Sequence, residues 1–237
     1  MNLQARVQAA ADFARREISA VLALLALALA ADLFLSVAGE VREGDANTLD
    51  LAVLTALRVP GQPGRPIGPA WLETAARDLT SLGSVMVLAL IVLIVSGLFF
   101  SLRRRREALV LLIASGGGLA TSGVLKDLFG RARPDLAYRA VEVTTSSFPS
   151  GHAMLSAVVF LTLGSLCAGY VGRRLVKTYI MVVAVTLTLL IGATRVYLGV
   201  HWLTDVLGGW CLGAVWAIGC WLVMWSLDHR WREAGGV

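Results

Sequence analysis

The sequence predicts an all-α integral membrane protein in which six transmembrane helices form one bundle. Of the 237 residues, 57% are hydrophobic and 16% are charged, and the mean hydropathy is +0.73. Soluble domains carry about 25% charged residues, so this composition excludes them. Six apolar stretches are each close to the length of about 20 residues that a helix needs to cross the hydrocarbon layer. They show no internal repeat and leave no room for a second soluble domain, so residues 1–237 are predicted to form one domain.

The six apolar stretches are interpreted as spans one to six. They cover residues 18–38, 79–100, 108–125, 153–170, 179–197 and 203–227. The first stretch follows Arg15 and Arg16 and contains Ala28-Leu29-Ala30, the small-residue pattern of a cleaved signal peptide. It continues past that pattern through residues 33–35, further than a signal peptide requires, which favours an uncleaved first span.

Clusters of Lys and Arg predict the orientation of the chain. They lie at the start, between spans two and three, between spans four and five, and at the end: Arg6, Arg15, Arg16, residues 103–106, Arg173, Arg174, Lys177, Arg230 and Arg232. With six spans, all four clusters fall on one side, which the positive-inside rule makes cytoplasmic. Both termini are therefore predicted to be cytoplasmic. The connections after spans three and five then lie on the periplasmic or extracytoplasmic side of the inner (plasma) membrane.

The connection after span three departs from the charge rule. It would place Lys126, Arg131, Arg133 and Arg139 on the outer face. A bound anionic ligand would account for the exception. The net charge of +5 thus divides between inner-face anchors and a candidate site, and no aromatic and basic module of the kind that binds nucleic acid is visible.

The first external connection, residues 40–77, has a pattern of its own. Leu49, Val53 and Leu57 recur every four residues with Asp50 and Arg58 off that face, which favours a helix over residues 47–57 lying in the membrane interface. An ordinary surface loop is an equal alternative. Residues 60–66 are rich in proline and glycine and are predicted to form an irregular linker.

Ionisable residues recur at the ends of three later spans. Lys126 and Arg133 follow span three, and an Arg fork with a Lys point charge suits phosphate oxygens. Arg195 closes span five. The alternative is that these charges only mark the membrane boundary, as residues 103–106 do.

Two histidines stand beside these cations. His152 follows Ser150 and Gly151, which look like the cap and first turn of a helix, and a helix start favours an anion. His201 and Asp205 are four residues apart, so on a helix they share one face. A carboxylate on one ring nitrogen fixes the tautomer and leaves the other nitrogen free to act as nucleophile or base. Taken singly, each histidine could instead be a solvated interfacial residue.

The remaining polar residues within the spans have simpler interpretations. Cys167, Cys211 and Cys220 are odd in number and lack metal-ligand spacing, so they are predicted to be small buried hydrophobes. Asp32 in span one is predicted to have a packing role or to snorkel at the outer end. No cluster of carboxylates offers magnesium ligands, so neither a metal nor another cofactor is expected.

Taken together, these residues resemble the type 2 phosphatidic acid phosphatase family. The match consists of Lys126, six residues and Arg133-Pro134, then Pro149-Ser150-Gly151-His152, then Arg195, five residues, His201, three residues and Asp205. The order, the spacing and the position at spans three to six all agree. One departure is Thr194, where the family usually has Ser, and its hydroxyl is expected to keep the phosphate contact.

The resemblance implies a metal-independent lipid phosphatase. It implies that His201 attacks phosphorus, that Asp205 orients His201, and that His152 protonates the leaving alcohol. The groups that hold the phosphate would be the side chains of Lys126, Arg133, Ser150 and Arg195 and the N–H of Gly151. Water would then hydrolyse the phosphohistidine.

The expected substrates are membrane lipids in the outer leaflet of the bilayer. Phosphatidic acid, phosphatidylglycerol phosphate and polyprenyl pyrophosphate all remain open, as does the oligomeric state. A phosphotransferase with the same phosphohistidine is the alternative enzyme. A transporter of a phosphorylated solute is a third interpretation, which the absence of an inverted repeat from the sequence disfavours.

Overall fold

The protein is almost entirely helical. The computed structural model describes the backbone of residues 3–44, 47–139 and 145–233, and the side chains of residues 17–44, 48–139 and 145–227. The helices are α1 (Leu3–Glu43), α2 (Asn47–Ala56), α3 (Ala70–Ser81), α4 (Val85–Ser101), α5 (Arg105–Phe129), α6 (Gly151–Gly169), α7 (Arg174–Tyr197) and α8 (Leu203–Glu233). A 3-10 turn at Leu136–Tyr138 and two short strands, β1 (Arg58–Val59) and β2 (Gln62–Pro66), complete the described elements.

Five segments are long and apolar enough to cross a membrane. They are Glu17–Glu43 in α1, Arg105–Phe129, Gly151–Gly169, Arg174–Tyr197 and Leu203–Leu227. A sixth is formed only if α3 and α4 count together, since they meet at an angle of 47°. The structure therefore confirms a multi-pass helical membrane protein with five or six spans.

The predicted second span, residues 79–100, is wrong in its lower boundary and its continuity. Its chain is divided into α3, which begins at Ala70, and α4, which begins at Val85. The break has a local cause, because Ser84 is the N-cap of α4 and its hydroxyl accepts the N–H of Val87 at 3.3 Å.

Helix α6 lies at the centre of the bundle, between α5, α7 and α8. In the apolar part of α6, 56% of the residues are buried, compared with 6% in the apolar part of α1. Small residues allow this close packing: a Cβ on Gly213 would meet the carbonyl oxygen of Met154 at 2.6 Å, and one on Gly164 would meet the Cβ of Ala184 at 3.1 Å. The central position of α6 brings its first turn close to the ends of three neighbouring helices.

The first external connection contains the predicted helix but with a different buried face. Helix α2 covers Asn47–Ala56, but Leu49 is 53% exposed while Asp50 is 1% exposed and Arg58 5%. The predicted apolar face is therefore wrong at Leu49, whereas Val53 and Leu57 are partly buried and pack against the protein core. Helix α2 is oriented by the hydrogen bonds of Asp50 and by the burial of Leu54. The predicted linker at residues 60–66 is also corrected: β2 pairs antiparallel with β1, since proline is tolerated on an edge strand.

Two of the simpler predictions for residues within the spans also change. Cys167 is exposed, and Cys211 and Cys220 are only partly buried, so the prediction of three buried cysteines is wrong. Cys167 lies near the end of α6, beyond the part of the helix that is buried between its neighbours. Asp32 is exposed on α1, which excludes the packing role.

Candidate active site

The three sequence fragments meet at one end of the bundle. The last turn of α5 supplies Lys126, the connection after it Arg133, and the first turn of α6 Gly151 and His152. The end of α7 supplies Arg195, and the start of α8 follows directly after His201. The backbone N–H of Ser150 donates to the carbonyl of Asp205 at 2.9 Å, which joins the α6 and α8 fragments. All of the predicted site residues are thus close together.

His201 and Asp205 form a buried pair. His201 is 2% exposed, and its Nδ1 lies 3.2 Å from Oδ2 of Asp205. The two residues do not share a helix as predicted, since His201 lies two residues before α8 begins at Leu203. They meet because Asp205, in the first turn of α8, accepts the N–H of Trp202 at 2.9 Å and so folds back over the helix start.

The other ring nitrogen of His201 faces a cation. Nη1 of Arg133 lies 3.0 Å from Nε2, and a guanidinium can only donate. We therefore assign the proton of the ring to Nδ1, which donates a hydrogen bond to Asp205, and a lone pair to Nε2. Burial lowers the pKa of His201 to about 3, although Asp205 opposes the change. The imidazole is thus neutral at physiological pH, and its Nε2 lone pair is not protonated.

Asp205 has further partners that the sequence did not reveal. Its Oδ1 accepts from Nη1 of Arg131 at 2.6 Å, and its Oδ2 accepts a short hydrogen bond from the hydroxyl of Ser147. Phe148, next to Ser147, is fully buried and packs against Phe129 in a tilted arrangement, with ring centroids 4.7 Å apart. The Ser147 loop is therefore anchored. The only sequence signal for Arg131 was its unexpected charge on the outer face.

Lys126 and Arg133 both donate hydrogen bonds to the loop that contains Thr145 and Ser146. Nζ of Lys126 donates to the carbonyl of Ser146 at 2.7 Å. Arg133 donates from Nε to the carbonyl of Thr145 at 2.7 Å and from Nη1 to the carbonyl of Val200 at 2.7 Å. Burial lowers the pKa of Arg133 to about 10, which still leaves it charged at neutral pH.

The break between α3 and α4 contributes directly to the site. Thr80, in the last turn of α3, accepts a hydrogen bond from Nη1 of Arg195 at 3.1 Å. A Cβ on Gly83 would lie 2.4 Å from Cγ2 of Ile191 and 3.3 Å from Cδ2 of His152, so the absence of a side chain lets the break pack closely against the start of α6. The charges of Arg195, Arg133 and Lys126 all interact electrostatically with His152. Thr80 was missed because its position depends on the bend.

Two buried polar atoms in this region have no hydrogen-bond partner among the described residues. They are the hydroxyl of Ser150 and Nε of Arg195. Ser150 occupies the N-cap position of α6 as predicted, but its side chain does not cap the helix. Buried donors normally find acceptors, so these two atoms could donate to an acceptor on a bound ligand. Gly151 adds the positive end of the α6 dipole beside Lys126, whose Cε would lie 3.8 Å from a Cβ at Gly151.

Thr194 differs from its expected behaviour. Its hydroxyl donates to the carbonyl of Ile191 in the preceding turn of α7 at 2.6 Å. A threonine in a helix readily makes such a bond. The predicted phosphate contact of this hydroxyl is therefore not available in this arrangement.

The site combines several cations with a neutral histidine. Lys126 of α5, Arg195 of α7 and Arg133 of the loop all act electrostatically on His152, and Arg133 also contacts Nε2 of the neutral His201 at 3.0 Å. Across the described part of the chain, no three His, Cys, Asp or Glu side chains are grouped so that they could hold a metal ion.

The family model that matches the chain covers these same helices. The PAP2 superfamily model matches residues 78–228, which include every residue of the site described above. The chain belongs to the PAP2 superfamily. The resemblance to type 2 phosphatidic acid phosphatases is thereby confirmed, and the protein is a phosphoric ester hydrolase of the membrane lipid phosphatase type.

Relatives of known activity agree with this family. Phosphatidylglycerophosphatase B of Bacillus subtilis (strain 168) is 35% identical over 184 residues, which cover 76% of this chain and 85% of that protein. Undecaprenyl-diphosphatase of Sulfolobus acidocaldarius is 34% identical over 73 residues, which cover 30% of each chain.

Solved structures share the fold. The transmembrane PAP2-type phosphatidylglycerolphosphate phosphatase from Bacillus subtilis has a TM-score of 0.76 at 28% identity, covering 86% of this chain and 96% of that one. LpxE of Aquifex aeolicus has a TM-score of 0.55 at 22% identity, covering 73% and 94%, and shows the fold alone.

Proposed function

We propose that this PAP2 phosphatase removes phosphate from lipid head groups in the outer leaflet through a phosphohistidine on His201. One observation carries the proposal: the unprotonated Nε2 of a buried histidine, whose ring Asp205 holds, faces Arg133 in a site that also contains unsatisfied buried donors. Phosphoryl transfer relies on positioning and on charge stabilisation, and these groups can supply both.

In the first step, Nε2 of His201 forms a bond to phosphorus while the bond from phosphorus to the leaving oxygen breaks. Asp205 accepts the Nδ1 proton in a hydrogen bond and stabilises the positive ring that results. His152 donates a proton to the leaving oxygen, so that the lipid departs as an alcohol. In the case of a polyprenyl pyrophosphate, the bond from the terminal phosphorus to the bridging oxygen breaks, and the leaving group is the polyprenyl monophosphate.

In the second step, water attacks the phosphohistidine. His152, now deprotonated, accepts a proton from that water while the bond between nitrogen and phosphorus breaks. Free phosphate leaves and both histidines return to their initial states.

Five groups are assigned to the phosphate oxygens in both steps. Lys126, Arg133 and Arg195 neutralise the charge, and the Ser150 hydroxyl and the Gly151 N–H donate hydrogen bonds. The unpartnered Ser150 Oγ and Arg195 Nε support this assignment. No step requires a metal, because the cations already occupy the role that a metal would play.

The substrate class follows from the bilayer and from the relatives. Phosphatidic acid, phosphatidylglycerol phosphate and polyprenyl pyrophosphate each present a terminal phosphate at the head-group level. The distribution of Lys and Arg along the chain supports an inner-membrane orientation with cytoplasmic termini and an outward-facing site. A lipid can bring its phosphate to such a site from the side while its chains stay in the bilayer, and helix α2, which contacts α8, is a candidate flank of that entrance.

The decisive experiment traps the intermediate. The purified protein is mixed with lipid carrying a labelled terminal phosphate, and the reaction is quenched rapidly without acid. Label is expected on the wild type and not on His201→Ala. Label that persists on His201→Ala would show that another residue is the nucleophile.

Two additional arms distinguish the alternatives. Free phosphate released with no alcohol acceptor added supports a hydrolase, whereas turnover that depends on an acceptor supports a phosphotransferase.

Activity should survive saturating EDTA, and vanadate should inhibit by imitating pentacoordinate phosphorus. Complete loss in EDTA that magnesium restores would contradict a site made of protein groups alone.

A further inference from the structure

A buried ion-pair chain connects helix α2 to the active site. We propose that Asp50 is a positioning residue, which acts through Arg131 on Asp205 and so sets the orientation of His201. The inference rests on the proposed roles of His201 and Asp205. Asp50 lies outside residues 78–228, the part of the chain that matches the family model.

Asp50 is buried and both of its oxygens are engaged. It is 1% exposed. Its Oδ2 accepts from Nη2 of Arg131 at 2.6 Å and from the Thr204 hydroxyl at 2.6 Å, and its Oδ1 accepts the N–H of Thr204 at 2.9 Å. A buried carboxylate is costly unless it is paired and hydrogen-bonded, and here each requirement is met.

Arg131 links this carboxylate to the one that holds His201. Its two terminal nitrogens point in different directions: Nη2 donates to Asp50, and Nη1 donates to Oδ1 of Asp205 at 2.6 Å. Nη1 also donates to the Thr204 hydroxyl at 2.8 Å, and that hydroxyl in turn donates a hydrogen bond to Asp50. The Arg131 side chain is only 9% exposed, so solvent screens these pairs weakly.

These contacts fix the rotation of the Asp205 carboxylate. With Oδ1 held by Arg131, Oδ2 is left facing Nδ1 of His201. Arg131 can hold Oδ1 in place only if its own guanidinium is fixed, and Asp50 fixes the far end of it. The carbonyl of Arg131 also accepts the N–H of Ser147 at 2.8 Å, so the same residue holds the loop whose hydroxyl reaches Asp205.

The first test separates catalysis from binding. Asp50→Asn keeps the shape and the amide oxygen for Thr204 but removes the charge that anchors Arg131. The full-length protein in detergent micelles is assayed with phosphatidic acid, phosphatidylglycerol phosphate and polyprenyl pyrophosphate. We expect kcat on the best of these to fall by about 10- to 100-fold, the effect typical of residues that orient a histidine from behind, while KM changes by less than about twofold.

Glu73→Gln is the matched control. It removes another external acidic residue that pairs with an arginine, at 2.7 Å from Arg77, but this pair is exposed and lies on α3. Exposed pairs contribute little, so kcat should stay within about twofold of the wild type.

A double-mutant cycle shows whether Asp50 acts through Asp205. In single-turnover measurements, Asp50→Asn should slow an Asp205→Ala background by less than about threefold, because the group that it positions is already absent. Equal losses in both backgrounds would overturn the inference, since they would mean a general structural effect. A higher KM with unchanged kcat, or no change at all, would also overturn it.

The same cycle distinguishes this inference from the proposed function. If Asp205→Ala alone leaves kcat unchanged, the proposed role of Asp205 fails and the positioning role fails with it. If Asp205→Ala lowers kcat and Asp50→Asn does not, only the positioning role is wrong.

Should Asp50→Asn fail to give a monodisperse protein, Arg131→Lys takes its place in the cycle. It retains the positive charge, but an ammonium group cannot reproduce the planar fork that reaches two carboxylates. The same loss of kcat, absent in the Asp205→Ala background, is expected. Full activity of Arg131→Lys would refute the connection.

Discussion

Replacing Arg133 with lysine tests whether geometry or charge dominates at the phosphate. The guanidinium makes three separate contacts at 3.0 Å or less, to Nε2 of His201 and to the carbonyls of Val200 and Thr145. A phosphate that approaches Nε2 would lie beside the same fork and take over its donors. Lysine keeps the charge but presents it at one point, so Arg133→Lys should lose at least one aligned hydrogen bond to the transition state.

The size of the loss can be worked out from that single bond. Removing one donor from developing negative charge costs about 2.7–4 kcal/mol. Since every 1.36 kcal/mol is a factor of about ten in rate, kcat/KM should fall by about 10²- to 10³-fold. The assay is phosphate release from the best lipid substrate in mixed micelles.

Arg77→Lys supplies the comparison. Arg77 is exposed and bonds to Glu73 on the same helix at 2.7 Å, so its exchange should leave activity unchanged. A loss smaller than tenfold for Arg133→Lys, with Arg77→Lys intact, would show that a point charge suffices. The assignment of paired hydrogen bonds to Arg133 would then be refuted.

Three other predictions address the acid, the pH dependence and the orientation. His152→Ala should lose far less activity on an ester with an acidic leaving group than on a lipid alcohol phosphate, and equal losses would contradict its role. Burial lowers the pKa of His201 from 6.5 to about 3, so on acidification the unfolded chain binds a proton at a higher pH than the folded protein does. The free energy of unfolding should therefore fall as the pH drops from 6.5 toward 3, by up to about 1.4 kcal/mol per pH unit. Thermal unfolding of His201→Asn in detergent should therefore depend less on pH, and an equal dependence would count against the lowered pKa. In intact cells and a cysteine-free background, a cysteine at Gln62 should react with an impermeant thiol reagent and one at Arg104 should not; the reverse pattern would invert the topology.

The predicted residues of the site could be found because local spacing fixes their chemistry. His201 and Asp205 are close along the chain, and any tight turn into α8 brings them together even though His201 is not helical. Lys126 and Arg133 stand out because positive charge at the outer end of an apolar span needs a cause. The overall class likewise follows from composition, which folding does not alter.

The supporting residues could not be predicted because their partners are distant in sequence. Asp50 bonds to Thr204, 154 positions away, and nothing around Asp50 marks it as buried. The period of four through Leu49 is genuine, but tertiary packing turned that residue outward. Thr80 reaches Arg195 only because the second span breaks, and hydropathy cannot distinguish a broken span from a continuous one.

In the arrangement described, Lys126 and Arg133 donate hydrogen bonds to backbone carbonyls, namely those of Thr145, Ser146 and Val200. An arriving phosphate must therefore compete with the protein's own backbone for these donors, and each hydrogen bond that the ion accepts replaces one within the protein. This exchange weakens ground-state binding of substrate and product alike, while leaving the donors available when charge grows at phosphorus. A site so rich in cations would otherwise retain inorganic phosphate as a strong product inhibitor. Because the backbone carbonyls can take back these hydrogen bonds, inorganic phosphate is released more readily.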